Sequence, residues 1–200
     1  MWKTLCIFGD SITQGFSDEE SGGWVSRLFA HTISKDSNLN IFNLGIGGDT
    51  TAGIIARFER EIATRNPDFL VFAIGINDAV TYQDKGVSVS EESFSENIRT
   101  IIDRAELLVE KTVFIGLTYV DESKTNPVLG STTGKCYANI RIERFDAIMK
   151  DICRERGAPY LPVADCVTTN DLPDGLHPNA HGHEMMFKKI KEFLCDQGML

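Results

Sequence analysis

The chain predicts an α/β protein: a five-stranded parallel sheet with helices on both faces, a three-layer α/β/α sandwich. Three observations support this. Short apolar runs alternate with longer stretches of helical period along the 200 residues. The run Phe69 to Ile74, "FLVFAI", is apolar throughout, as a strand covered on both sides must be. The length suits one domain over residues 1–200. A chain near this size buries roughly 70% of its unfolded surface, so its core needs neither disulfide nor metal.

Each element follows from its own pattern. "LCIF" (5–8) predicts the first strand, and Trp24, Leu28, Phe29 and Ile33 repeat at helical spacing after it. "NIFNL" (40–44) predicts a second strand, followed by one helix face made of Ile54, Ile55, Phe58 and Ile62. After the 69–74 strand, Ser90 opens a helix as its cap, with Glu91 and Glu92 in the first turn. Phe94, Ile98, Ile101, Ile102, Ala105, Leu108 and Val109 follow at helical spacing. "TVFIGL" (112–117) is the fourth strand, and Tyr137, Ile140, Arg144, Ile148 and Ile152 trace the fourth helix. "PYLPV" (159–163) is a weaker fifth strand that Pro162 assigns to an edge. His183, Phe187, Ile190 and Leu194 mark the last helix. The connection from Thr118 to Lys135 has no clear period; such long loops are usually functional or disordered.

Composition narrows the function. The net charge of −9 and the lack of any Lys/Arg cluster argue against a nucleic-acid partner. No 18-residue apolar run exists, so no membrane span is expected. The five cysteines (Cys6, Cys136, Cys153, Cys166, Cys195) are scattered, with no C-x-x-C pair. Cys6, Cys153 and Cys195 fall in apolar-periodic segments and read as buried thiols, which suits a reducing, cytoplasmic setting. The short N-terminal apolar run does not make a signal peptide.

In open α/β sheets ligands sit beyond the carboxyl ends of the strands, so the residues just after each strand carry the chemistry. "GDS" ends the first strand at Ser11, "NLGIGGDTT" (43–51) follows the second and "GIND" (75–78) the third. "DGLHPN" (174–179) precedes the last helix. A serine hydroxyl becomes a nucleophile when a histidine takes its proton and a carboxylate orients that histidine. His177 has Asp174 three residues before it, with Gly175 between them, so the carboxylate can fold back on the imidazole; Pro178 can then start the helix. For the oxyanion, donors are available at the Gly48 N–H, the Asn77 amide and the Ser11 N–H.

These four blocks, in this order and over nearly the whole chain, resemble the GDSL (SGNH) hydrolase family. The resemblance implies a flavodoxin-like sandwich that hydrolyses esters, or thioesters or amides, through an acyl-enzyme. It implies Ser11, Asp174 and His177 as the catalytic set and Ser11, Gly48 and Asn77 as the oxyanion hole. The "GDSITQG" form looks most like small intracellular or sugar-ester members. Short-chain acyl esters and O-acetylated carbohydrates lead among substrates, with lysophospholipid and thioester cleavage as alternatives. A non-catalytic module that binds acyl-sugars on the same fold is the reading from another class.

Rival assignments exist for several positions. Asp10 should point away from Ser11 and hold structure. Gly47 competes with Gly48, and Asp171 with Asp174. His181 and His183 lie near His177, yet no H-E-x-x-H or Cys–His spacing supports a metal, so no metal or cofactor is expected. The glycines at 45, 47 and 48 miss a dinucleotide fingerprint because position 50 is Thr, and "GK" at 134–135 lacks the rest of a P-loop. Tyr119, Val120, Val128 and Leu129 are the apolar members of the long loop, of which Tyr119, Val128 and Leu129 are the expected acyl-group contacts. Two split pairs suit a short acyl chain and a loop that is mobile without ligand.

Overall fold

The first strand, β1 (Lys3–Gly9), runs through the middle of the molecule as five consecutive buried residues, Leu5 to Gly9. Parallel to it on one side lies β2 (Leu39–Gly45), and on the other β3 (Phe69–Ala73). β4 (Lys111–Ile115) pairs with β3, and the two-residue β5 (Tyr160–Leu161) pairs with β4. The sheet order is therefore β2-β1-β3-β4-β5, all parallel, with the topological switch between β1 and β3. This computed structural model describes residues 2–35, 38–109 and 111–200. The partly polar β2 and the short β5 are the edges, the second as Pro162 foreshadows.

Four long helices connect the strands, α1 (Gly23–Ser34), α2 (Thr51–Ala63), α3 (Glu91–Glu106) and α4 (Asn139–Arg156), and a fifth, α5 (Ala180–Asp196), follows the last strand. α1 packs on α5, while α2 packs on α3 and α3 on α4. Side chains start most of them. Thr50 accepts from Gly53 N at α2, Ser90 from Ser93 N at α3 and Asn179 from Gly182 N at α5. The last helix thus starts at Ala180 with Asn179 as cap, and Pro178 stands just outside it.

The core is aromatic. Phe8, Phe58 and Phe72 meet pairwise at ring-centroid distances of 5.4 to 6.0 Å, and Phe72 stacks on Phe114 at 5.2 Å. All four are buried.

Three expectations are corrected. The buried face of α4 is Ile142, Phe145, Met149, Ile152 and Cys153; Ile140 is 77% exposed and Arg144 lies on the outside. Arg141 causes the shift: its guanidinium stacks 4.5 Å from the Phe145 ring centroid and donates to the carbonyls of Ala79 and Val89, so an arginine occupies the inner side. Phe29 and Ile33 of α1 also point outward, leaving Trp24, Val25, Leu28 and Thr32 inside. Among the thiols, Cys195 is exposed and Cys136 takes its place among the buried ones.

The long connection is also more ordered than its composition suggests. Glu122–Thr125 forms a helical turn capped by Asp121, and Lys135–Cys136 pairs with Thr81–Tyr82 in a small antiparallel sheet completed by Gly86–Val87. Val120 and Thr125 are buried anchors, and Asp121 N donates to Gly175 O at 2.8 Å.

Candidate active site

The carboxyl end of β1 delivers Ser11. Gly9 passes so close to its neighbours that a Cβ there would lie 2.1 Å from Thr13 Oγ1 and 2.6 Å from Ala73 O. Asp10 then leaves the strand in an extended conformation, and its Oδ1 accepts from Ile12 N at 2.9 Å, capping the helical turn Ser11–Gln14. Asp10 therefore faces inward and is 3% exposed, while Ser11 faces the surface. Burial pushes the Asp10 carboxyl up to about 7, against the pull of the Ile12 N–H and with help from the charges of Asp78 and Asp49.

Ser11 Oγ stands 2.8 Å from His177 Nε2, across 166 residues of chain. The other ring nitrogen, Nδ1, is 2.6 Å from Asp174 Oδ2. Asp174 Oδ1 accepts from the N–H groups of Leu176 and His177 at 2.9 and 2.8 Å, so the backbone of the loop holds the carboxylate in place. Burial raises the Asp174 pKa, but the bonds from the His177 ring and these two N–H groups outweigh it and hold the acid below its ordinary value. With a carboxylate on Nδ1–H, Nε2 is the acceptor that faces the serine. The Phe16 ring, 56% exposed, leans on the imidazole at a centroid distance of 4.6 Å.

The neighbouring acids and histidines are occupied elsewhere. Asp171 Oδ1 is 2.7 Å from His181 Nδ1, not near His177. His183 is buried, with Nδ1 accepting from Trp24 N at 3.3 Å and Nε2 donating to Phe16 O at 3.2 Å. Burial lowers its pKa. It is a strut between α5, α1 and the Phe16 segment. Among the described residues no group of three His, Cys, Asp or Glu side chains could hold a metal ion.

On the other side of Ser11, Asn77 is 6% exposed, and both ends of its amide are engaged. Its Oδ1 accepts from Tyr137 OH at 2.7 Å, and its Nδ2 donates to Asp49 O at 2.9 Å. The second bond identifies which end is nitrogen, because a carbonyl oxygen can only accept, and it leaves the other N–H of the amide for the site. Burial pushes the Tyr137 phenol far up, so it stays a donor. Gly48 has φ of +78°, a left-handed conformation that glycine adopts without strain. No described hydrogen bond uses its N–H. The turn bearing Gly48 is fastened by Asp49, which pairs with Arg57 at 2.9 Å, and by Asp78, whose carboxylate accepts from Thr51 N and from Thr51 Oγ1 at 2.5 Å.

Ser11, Asp174, His177, Gly47, Gly48 and Asn77 all line one cavity of about 620 Å³. Its size is that of a small-ligand site, roughly 300–1,000 Å³. The sequence from Ile7 to Met185 matches the family model described as GDSL-like Lipase/Acylhydrolase family. The chain belongs to that family.

Relatives of the GDSL-like chain agree with the fold. It is 28% identical to an arylesterase of Vibrio mimicus, over 98% of this chain and 88% of that one. It is 30% identical to a Bacillus subtilis protein described as an uncharacterized lipoprotein, over 52% of this chain and 44% of that one, so it spans less than half of that relative. A lipase/acylhydrolase crystal structure from Enterococcus faecalis superposes with a TM-score of 0.80 at 24% identity, covering 98% of this chain and 96% of that chain. No described helix is long and apolar enough to cross a membrane.

Of the expected acyl contacts in this GDSL-like site, Val128 and Leu129 line the cavity and Tyr119 does not. Tyr119 lines a separate depression with Glu143 and Leu172, because the helical turn at 122–125 carries the chain away between Tyr119 and Val128. Gln14, Phe16, Thr125, Lys135, Tyr137 and Leu176 complete the wall. Leu176 lies inside the "DGLHPN" block and Gln14 inside "GDSITQG", whereas Thr125, Lys135 and Tyr137 belong to no block singled out for its chemistry. Gln14 and Phe16 follow Ser11 closely, which is the one signal available for them.

Proposed function

We propose that the protein is a serine ester hydrolase that works through an acyl-enzyme on short-chain acyl esters. The observation that carries this is the continuous chain Ser11 Oγ, His177 Nε2, His177 Nδ1, Asp174 Oδ2, with links of 2.8 and 2.6 Å. Ser11 Oγ attacks the ester carbonyl carbon as His177 Nε2 takes the hydroxyl proton. The carbonyl oxygen gains the charge and accepts from Gly48 N–H, the free N–H of Asn77 and Ser11 N–H. Collapse breaks the bond to the alcohol, whose oxygen receives the proton from His177. Water then repeats the sequence on the acyl-Ser11 ester, releasing the acid and restoring the hydroxyl. Asp174 keeps its charge throughout and stabilises the imidazolium.

Acyl length follows from the wall. Val128, Leu129, Phe16 and Leu176 are apolar, but Gln14, Thr125 and Lys135 interrupt them. At about 0.8 kcal/mol per buried methylene, a long chain needs a continuous trough that this wall does not provide. The expected result with 4-nitrophenyl esters is a kcat/KM maximum between acetyl and hexanoyl, a fall by decanoyl, and a drop in kcat of roughly 10³–10⁶ in Ser11→Ala. Similarity to an arylesterase supports the choice of aryl esters for the assay. A preference for decanoyl or longer esters would contradict the short trough. A cytoplasmic location fits the same reading: all five cysteines are free, and burial pushes the Cys6 and Cys153 thiols up to about 12.

A further inference from the structure

We propose that Lys135 selects esters that carry a negative charge, so that the substrate of this cavity is an anionic ester. The inference rests on the ester-hydrolase reading of the same site. Lys135 is the one lysine or arginine among the described residues that line the cavity holding Ser11 and His177. It is not a loose surface lysine. Its backbone pairs with Tyr82 in the small antiparallel sheet, and its N–H donates to Ser131 Oγ at 3.0 Å. Its ammonium lies 4.8 Å from the centroid of the Tyr137 ring, whose hydroxyl binds Asn77. The positive charge is thus held one ring away from the proposed oxyanion donor.

Among the described residues no carboxylate pairs with it. The lysine ion pairs of the described residues engage Lys124, Lys188 and Lys189, but not Lys135. The one acidic residue in the cavity wall, Asp174, is committed to His177. Desolvation by the surrounding wall lowers the Lys135 pKa, which expresses the cost of a half-buried ammonium without a counter-ion. Contact with the Tyr137 ring offsets part of that cost. A carboxylate or phosphate on the substrate offsets more, through a charge-assisted hydrogen bond. The overall charge of −9 strengthens the case, because an anion approaching this molecule meets a repulsive field unless a local cation receives it. A neutral ester needs no such cation.

The charge can sit on the acyl part or on the alcohol part of the substrate, and two matched pairs separate these. One pair is mono-4-nitrophenyl adipate against 4-nitrophenyl hexanoate; the other is 4-acetoxybenzoate against its methyl ester. For each, kcat/KM is measured in the parent and in Lys135→Met, with Ser11→Ala as the background rate. The ratio of charged to neutral ester is taken within each variant, so lost folding cancels. The expected result is that one ratio falls by about tenfold in Lys135→Met, or about 1.4 kcal/mol. Lys135→Arg should keep most of that ratio, and added salt should shrink it in the parent. The pair that responds locates the anion. Unchanged ratios in both pairs would overturn the proposal and leave Lys135 as a lysine stacked on Tyr137. Failure of all four esters to show Ser11-dependent turnover would instead overturn the underlying reading.

Discussion

At the scale of single residues, Asn77 shows how an ordinary side chain is made into a directed donor. Its oxygen is tied to Tyr137 and one of its N–H groups to Asp49, so the amide cannot rotate and its second N–H has one direction left. Removing the amide with Asn77→Ala should lower kcat by roughly 10²–10³ with KM nearly unchanged. Tyr137→Phe keeps the buried ring and removes only the hydroxyl, so its expected cost is about tenfold in kcat, again without a change in KM. If Tyr137 acts through Asn77, the double variant should be little worse than Asn77→Ala alone. A rise in KM with kcat intact would assign Tyr137 to substrate binding instead. The residues of this site that short motifs announce (Ser11, Gly48, Asn77, Asp174 and His177) were legible because each sits just after a strand or before a helix. Tyr137 and Lys135 were not. Their approach to Ser11 depends on the path of the long loop, which carries no period to read.

At the scale of elements, the connections between strand ends matter more than the helices themselves. Asp78, at the end of the turn after β3, receives the N–H and hydroxyl of Thr51 at the start of α2 and so holds the Gly48 turn against Asn77. Asp78→Ala leaves the Thr51 N–H and hydroxyl proton without their acceptor in the interior, although Asn97 Nδ2 still donates to Thr51 Oγ1, and should cost about 2–4 kcal/mol, with a drop in turnover per folded molecule. Ser90→Ala, which removes only the α3 cap, should cost about 1 kcal/mol and leave that turnover intact. Urea unfolding together with activity corrected for folded fraction distinguishes the two; equal losses of activity would contradict this division. Caps and strands were readable because they follow local rules. The α4 face was not, because Arg141 packs its stem and guanidinium inside while Ile140 stays in solvent, and hydrophobic period counts the two the wrong way round.

At the scale of the whole molecule, the fold buries a carboxyl beneath its own nucleophile and brings distant groups together above it. Asp10 has an ordinary value of 3.8 and is raised to about 7 by burial. Between those values the native state keeps a proton that the unfolded chain has lost, so this contribution is full below the lower value and disappears as pH rises through the upper one. Asp10→Asn retains an oxygen for Ile12 N and carries no charge, so its stability relative to the parent should improve from pH 4 to pH 8 by on the order of 2 kcal/mol. A gain independent of pH would contradict the assignment. The central claim, that Ser11 and His177 act as one unit, depends on the entire sheet order, since 166 residues separate them. The most direct measurement is kcat of Ser11→Ala, His177→Ala and the double variant on 4-nitrophenyl acetate. Each single change is expected to lower kcat by roughly 10³–10⁶ and the double variant to be hardly worse than either. Near-parental turnover in Ser11→Ala, or losses that multiply in the double variant, would contradict it.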